Sequence, residues 1–527
     1  MNQFDIADTS DPSSSMLNRL RSTILWVVLG VGILFRAREF GAARSLWLDE
    51  IALILQLNEH NFWQLLTSGI QGNQGAPALY LCIEKIAIAL LKPIEHGSRL
   101  VALCAGVGTL FLVRSLVKNA RMSFYSKVFF LLCLGTAPLH VYYSAAAKQY
   151  MVETCVVLII LLSYERYATN ALSLGWLIAI LTFAVWLSHS AVYAIFACGT
   201  VSLLWAYSNN SYGEIRKLIF VSSLAALSFA LHFVVNIYPL LGNKALYGYW
   251  SNGIAPLHKG FIPTLLWSFG SLHHLISYTF IPQAIINDSR FSTLTIAWSG
   301  ILMLLFLRGA FILWRSDKLI CMYCLGTIGA VFLGSLLRLS PFRDRLILCV
   351  TPLVMIFVVQ IPIRKWTSPK LSQLQTFFSL CGVLLVAVPP LVITSDRFFK
   401  PADRNNMKHI IRYLQKEHSA DEPILMRSTD LHAFYLYKNK YKISSLPVVN
   451  SNWQISSAKR MIEDLKKRIE ASPTKSVWII SAFRSAEVAG AIQLLEEKGL
   501  VAKKKDINDG YASALFEGPN HGQKIGP

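Results

Sequence analysis

Asp49 and Glu50 stand side by side in the run Ser45-Leu46-Trp47-Leu48-Asp49-Glu50, just past the first long apolar segment of the chain. Two carboxylates at the edge of hydrocarbon are costly to place, and acids kept there commonly serve chemistry. One such group can take the proton of an attacking hydroxyl as a general base. The competing reading is structural, because acids also suit the first turn of a helix, where the backbone dipole favours negative charge. Taken alone, the pair leaves those two readings level.

Later polar residues narrow the choice. The stretch Tyr142-Tyr143-Ser144-Ala145-Ala146-Ala147-Lys148-Gln149-Tyr150-Met151-Val152-Glu153 leads into another apolar run. With a helix starting at Ala145, Glu153 is a neighbour of both Tyr150 and Gln149, three and four positions back. Lys148, Tyr150 and Glu153 do not all share one face of that helix. Lys148 has the bland reading of a snorkelling anchor, and Tyr150 that of an interfacial belt residue. Glu153 points into the start of the run and has no such excuse. His189, followed by Ser190, closes the fifth run; a lone His there is more often a hydrogen-bonded structural residue than a base. In Leu339-Ser340-Pro341-Phe342-Arg343-Asp344-Arg345, an arginine is suited to holding a phosphate through two parallel hydrogen bonds. The alternative is that Arg343 and Arg345 form an interfacial pair bridged by Asp344.

The elements that must carry these residues follow from composition. The chain has 527 residues, 54% of them hydrophobic, with a mean hydropathy of +0.45. Those values exclude an ordinary soluble enzyme. Apolar runs recur from Ile24 to Ile393, each near the length that crosses a bilayer. The polar, Ser-rich N-terminus leads into the first run with no small-residue cleavage site after it, so this run reads as an uncleaved span rather than a signal peptide. The net charge of +20 would suit nucleic acid, but Lys and Arg collect in short connections, as the positive-inside rule requires of cytoplasmic loops. Arg19 and Arg21 place the N-terminus inside. Arg114, Lys118, Arg121 and Lys127 are then cytoplasmic, as are Arg216 with Lys217, Arg308 with Arg315 and Lys318, and Arg364 with Lys365 and Lys370. The assignments agree only if residues 76–91, with Glu84 and Lys85 at their centre, form an interfacial helix on the outer face. Residues 261–281 fall on the outer face by the same parity. The expected fold is a polytopic α-helical membrane protein of about eleven spans, N-terminus inside and C-terminus outside.

All nine cysteines lie between Cys82 and Cys381, so no disulfide constrains the tail. Cys321-Met-Tyr-Cys324 has CxxC spacing but sits within an apolar run without a second pair, which favours packing over metal binding. After Ile393 the chain turns polar. Helices over 404–417, 457–469 and 486–498 alternate with strands over 423–426 and 476–481, the signature of a small α/β domain. It has no Gly-rich phosphate loop and no recognisable catalytic spacing. The expected organisation is a cytoplasmic tail over residues 1–21, a transmembrane catalytic domain over 22–394, and an extracytoplasmic α/β domain over 395–527.

Acids, a lysine and arginines on one membrane face suit a substrate with a lipid tail in the bilayer and a phosphorylated head at its surface. Cations would stabilise the charge of a leaving phosphate. In their order, these landmarks resemble the GT-C superfamily of polyprenyl-linked-sugar glycosyltransferases, and most closely glycosyltransferase family 39. That branch includes protein O-mannosyltransferases and the aminoarabinose transferase acting on lipid A. The resemblance rests on the Ser45-to-Glu50 run, on Ala76-Pro77-Ala78-Leu79-Tyr80, on Arg99 opening the next run, on Tyr143-Ser144 through Lys148-Gln149-Tyr150, and on Pro341-Phe342-x-x-Arg345. It covers residues 20–395, and no one of its motifs is specific alone. It implies that Asp49 is the base, Glu50 its support, and that Lys148 and Arg345 contact the donor phosphate. Tyr150, Glu153 and Arg343 join that donor set, with Glu84, Lys85, Arg99 and His189 in support. Relatives often carry Glu where this chain has Ala146 and Asp where it has Glu153. The lost carboxylate argues against a divalent metal, which wants several oxygen ligands, so the expected chemistry needs no metal or other cofactor.

The implied activity moves a sugar from a polyprenyl-phosphate donor to a glycolipid, polysaccharide or protein acceptor at the outer face of the membrane. A transporter or flippase would instead show ionisable residues deep in the spans or repeat symmetry; the charges here cluster at span ends. A non-catalytic subunit handling lipid-linked glycans would tolerate loss of Asp49.

Overall fold

Each apolar run of the first 400 residues folds as helix over its described part, because a backbone in hydrocarbon must satisfy its hydrogen bonds within the segment. A computed structural model of the chain describes residues 12–68, 70, 74–241, 243–280, 292–361, 369–399, 406–419, 422–440, 448–451, 465, 467–472, 474, 476–482, 485–497, 500–508 and 511–517. The helices run α1 (Pro12–Gly41), α2 (Leu48–Glu59), α3 (Phe62–Thr67), α4 (Ala78–Leu90), α5 (Ile94–Gly97) and α6 (Leu100–Asn119). Next come α7 (Phe124–Thr136), α8 (Pro138–Tyr143), α9 (Tyr150–Ala168), α10 (Leu174–Leu187), α11 (Ala191–Ser208) and α12 (Tyr212–His232). Then follow α13 (Lys244–Tyr249), α14 (Phe261–Phe280), α15 (Ser292–Ser316), α16 (Lys318–Leu336), α17 (Thr351–Val358) and α18 (Pro369–Phe399). Among the described residues, six helical stretches are by themselves long and apolar enough to cross a membrane: Ser15–Gly41, Ile94–Asn119, Ala191–Ser208, Tyr212–Leu240, Ile296–Ser316 and Lys318–Leu336. The architecture is that of a polytopic helical membrane protein with a small α/β domain at its C-terminal end.

Breaks in the helices have local causes. Pro138 cannot continue α7, and Ala137 before it is extended (φ −60°, ψ 116°), as the residue before a proline tends to be. The break leaves the last carbonyls of α7 without intrahelical partners. Arg36 of α1 reaches them, donating to the Gly135 carbonyl at 3.0 Å and the Leu134 carbonyl at 3.1 Å. Thr394 of α18 donates its hydroxyl to the Thr136 carbonyl at 2.6 Å. Arg36 is fully buried and can reach only because Gly32 and Gly135 let the helices touch. A Cβ at Gly32 would lie 2.9 Å from the Gly135 Cα, the close approach that small residues permit between membrane helices.

The chain divides into two compact units, residues 1–42 with 57–400 and residues 43–56 with 401–527. In the second, α19 (Met407–Glu417) precedes β1 (Ile424–Arg427), α20 (Ser428–Lys440), β2 (Val448–Ser451), β3 (Ser476–Ser481), α21 (Ser485–Glu497), β4 (Val501–Asn508) and β5 (Tyr511–Glu517). The five strands order as β2-β1-β3-β5-β4. β1 pairs parallel with β2 and β3, from Ile424↔Val448 and Ile424↔Trp478, while β5 runs antiparallel to β3 and β4. Buried Met407, Ile410, Ile411 and Leu414 give α19 the i, i+3, i+4, i+7 stripe of an amphipathic helix. All six residues of β3 are buried, and Val477 and Ile479 pack with Val488, Ile492, Leu495 and Phe516 in the core. The helix expected over 404–417 and those strands are present; most of 457–469 lies outside the described residues. The sequence reading missed α20, β2 and the β4–β5 hairpin.

Candidate active site

The two acids that looked alike in sequence have different surroundings. The Glu50 carboxylate accepts the Trp47 backbone N–H at 2.7 Å, and the Trp47 carbonyl accepts the N–H groups of Glu50 and Ile51, each at 2.9 Å. A Glu side chain reaching back to the residue before the helix is one arm of a capping box. Glu50 is buried at 4% exposure, and its carboxylate caps the start of α2. Asp49, in the same first turn of α2, is only half-buried.

The second outer loop begins its helix later than the sequence suggested. Residues 144–149 are turns rather than helix. The Ser144 hydroxyl donates to the His140 carbonyl at 2.6 Å and closes the end of α8, so α9 starts at Tyr150. Lys148, at 8% exposure, donates to the Gln74 side-chain oxygen. The Gln149 amide donates to the Gly75 carbonyl at 2.9 Å. Both residues thereby tie this loop to the stretch leading into α4. Tyr150 meets Tyr143 edge-on with ring centres 5.2 Å apart, and Tyr143 in turn hydrogen-bonds Tyr278 of α14.

Arg345 completes this group. Its guanidinium carbon lies 5.6 Å from the Tyr150 ring centre and 5.3 Å from that of Trp250, within the range of a cation–π contact. Trp250 is delivered by a short turn after α13. The Gly253 carbonyl accepts the Phe342 N–H at 2.7 Å and the Ser335 hydroxyl at 2.7 Å. A Cβ at position 253 would lie 2.9 Å from the Arg343 Cβ and 3.0 Å from the Pro341 Cβ, so this approach needs glycine. Between the two arginines, Asp344 takes a left-handed backbone (φ 49°), which aspartate tolerates better than most residues. Its backbone N–H donates to the His274 Nε2 at 3.4 Å, and its carboxylate lies 3.7 Å from the Arg343 Nε. Arg343 thus lies beside the Asp344 carboxylate, and Arg345 faces two aromatic rings.

Glu153, one turn into α9, is buried at 5% exposure and accepts the Ser190 hydroxyl at 3.0 Å. Neighbouring His189 shares a hydrogen bond with Asn236 at 3.3 Å, on the π-helical turn Phe233–Ile237. Burial pushes the His189 imidazole down to about 4, against the opposing pull of that bond, so it is neutral near pH 7. Lys85 donates to the Leu57 carbonyl and, at 2.8 Å, to the His60 carbonyl, which fixes the turn between α2 and α3. Glu84 and Arg99 are each 1% exposed, Arg99 directly before α6. Tyr150 and Arg345 are thus brought together, while Lys85 bonds the Leu57 and His60 carbonyls and His189 bonds Asn236. Among the described residues, no three His, Cys, Asp or Glu side chains gather as a metal-ligand cluster.

No protein-family model matches the chain, and no curated protein matches it. Among solved structures, the chain is similar to ArnT from Cupriavidus metallidurans bound to undecaprenyl phosphate, with 12% identity, a TM-score of 0.49, and coverage of 97% of this chain and 100% of that one. It is also similar to ArnT from the same organism in the apo state, with 13% identity, a TM-score of 0.40, and coverage of 96% and 100%.

Proposed function

We propose that this protein is a GT-C-type membrane glycosyltransferase that moves a sugar from a polyprenyl-phosphate donor to an acceptor at the outer face of the cytoplasmic membrane. The N-terminus would be cytoplasmic and the C-terminal domain extracytoplasmic, as the distribution of basic residues favours. The observation that carries the reading is Arg345. A guanidinium laid against Tyr150 and Trp250 is a planar cation with its orientation fixed in advance, the form that suits a phosphate. Lys148, two residues before Tyr150, is a second cation for the same charge. Asp49 takes the proton of the acceptor hydroxyl, and the oxygen attacks the anomeric carbon. The bond from that carbon to the phosphate oxygen breaks, and polyprenyl phosphate leaves with the bonding electrons. Arg345 and Lys148 stabilise the negative charge that grows on the phosphate, the kind of preorganised electrostatic help that lowers such barriers most.

The test offers the purified protein in nanodiscs a panel of polyprenyl-phosphate sugars and follows release of polyprenyl phosphate. Release by the wild type and its loss in Asp49→Asn would support the reading. Equal release by both proteins would remove Asp49 from the mechanism. No release from any donor, in folded protein, would favour lipid transport.

A further inference from the structure

Segment 43–56, which carries Asp49 and Glu50, belongs to the same compact unit as the C-terminal α/β domain, although more than 340 residues separate them in sequence. The contacts within that unit are specific. The Leu46 N–H donates to the Tyr437 hydroxyl at 2.8 Å, and both residues are completely buried. The Lys408 ammonium donates to the Ala43 carbonyl at 2.5 Å, and the Lys408 N–H to the Ser45 hydroxyl at 3.5 Å. The same ammonium stands 5.9 Å from the Tyr437 ring centre. Ala43 has a left-handed backbone (φ 45°), a conformation costly for alanine that survives only where surroundings impose it. Successive backbone groups from Ala43 to Trp47 are therefore held, the first by Lys408, the next by Tyr437 and the last by Glu50.

We infer that Lys408 and Tyr437 are positioning residues for the Asp49 segment, and that the C-terminal α/β domain serves to fix the start of α2 rather than to bind a ligand of its own. One feature of the domain agrees with this. In a parallel α/β sheet, ligands bind beyond the strand ends where the strand order reverses; in the order β2-β1-β3, that point lies between β1 and β3. Here Asp430, fully buried at the start of α20, accepts the Ala482 N–H at 2.8 Å and the Ser481 hydroxyl at 3.1 Å. The protein's own side chain thereby occupies the position. A general base acts only when held in hydrogen-bonding geometry with the proton it removes, so slack at Leu46 would cost turnover and leave donor affinity intact.

This inference rests on Asp49 being the base, and its test includes an arm that does not. Tyr437→Phe keeps the ring and removes the acceptor. Amide hydrogen exchange over residues 43–50 should rise about tenfold, the effect of losing roughly 1.4 kcal/mol of local protection, while exchange in β1 and β3 stays as in the wild type. In the nanodisc assay, kcat should fall about tenfold with the donor KM unchanged. Lys408→Met should behave alike and Lys408→Arg should retain wild-type turnover, because it keeps a donor for the Ala43 carbonyl. Unchanged exchange over 43–50 would overturn the anchoring, as would a rise spread through the whole sheet. Faster exchange with unchanged kcat would overturn its link to catalysis. A wild type without turnover would refute the proposed activity, while the exchange arm would still decide the anchoring.

Discussion

Trp250→Leu tests whether the aromatic faces beside Arg345 act on the donor phosphate. The guanidinium lies 5.3 Å from the Trp250 ring and is half-buried, between the exposed and desolvated limits of a cation–π contact. A value of about 1 kcal/mol fits that setting. Since 1.4 kcal/mol is a factor of ten, donor KM should rise about fivefold if the ring fixes the guanidinium for phosphate. The assay is release of polyprenyl phosphate in nanodiscs at varied donor concentration, with kcat and KM resolved separately. Repeating the substitution in an Arg345→Ala background closes a double-mutant cycle. There Trp250→Leu should add nothing, because the group it orients is gone. The same fivefold rise in both backgrounds would show that Trp250 acts through something other than Arg345, and would refute the reasoning.

Two further outcomes follow from neighbouring geometry. Gly253→Ala should push the Trp250 turn off the 341–343 loop, because the new Cβ would meet two Cβ atoms at 3.0 Å or less. A cost of about 1–3 kcal/mol in stability is expected from such overpacking, together with a raised donor KM, read by thermal unfolding and kinetics. His189 gives a pH prediction: its folded value of about 4 lies below the ordinary 6.5, so the unfolded chain takes the proton first. Its contribution is full above pH 6.5 and is lost as pH falls through 4, on the order of 3 kcal/mol across that window. Melting curves between pH 7 and 4.5 should show a shallower acid slope in His189→Gln than in the wild type.

The sequence made the helical segments legible because the membrane demands long apolar runs, and the tail legible because its composition changes after Ile393. The candidate site was legible only in part. Arg345 and Tyr150 stand in motifs that signal chemistry, but Trp250, one of 13 tryptophans, looks like any belt residue. Its partner is set by the turn at Gly253, a contact across about ninety positions that no local pattern encodes. The helix start expected at Ala145 was displaced to Tyr150 because Ser144 and His140 close the preceding turn, and side-chain capping competes with helix propensity. Short strands such as β2 carry too few residues for an alternation to show. Lys408 and Tyr437 were invisible for a different reason: their partners in the first loop lie more than 360 positions away.

Position 50 separates the two meanings that a paired carboxylate can have. If Glu50 works as a cap, what matters is an oxygen able to accept the Trp47 N–H, and glutamine supplies one; Gln serves at this place in capping boxes as Glu does. Glu50→Gln should then keep turnover within about threefold of wild type, a few tenths of a kcal/mol from the lost charge at the helix start. Glu50→Ala removes the acceptor and should cost about 1 kcal/mol of local stability, seen as faster amide exchange over 47–51. If Glu50 instead carries a proton in the reaction, glutamine fails as completely as alanine, because neither titrates. The ratio of the two variants' kcat values is therefore the deciding quantity. A large ratio assigns the cap to Glu50 and leaves Asp49 as the base, whereas equal and severe losses would make the two acids a catalytic pair.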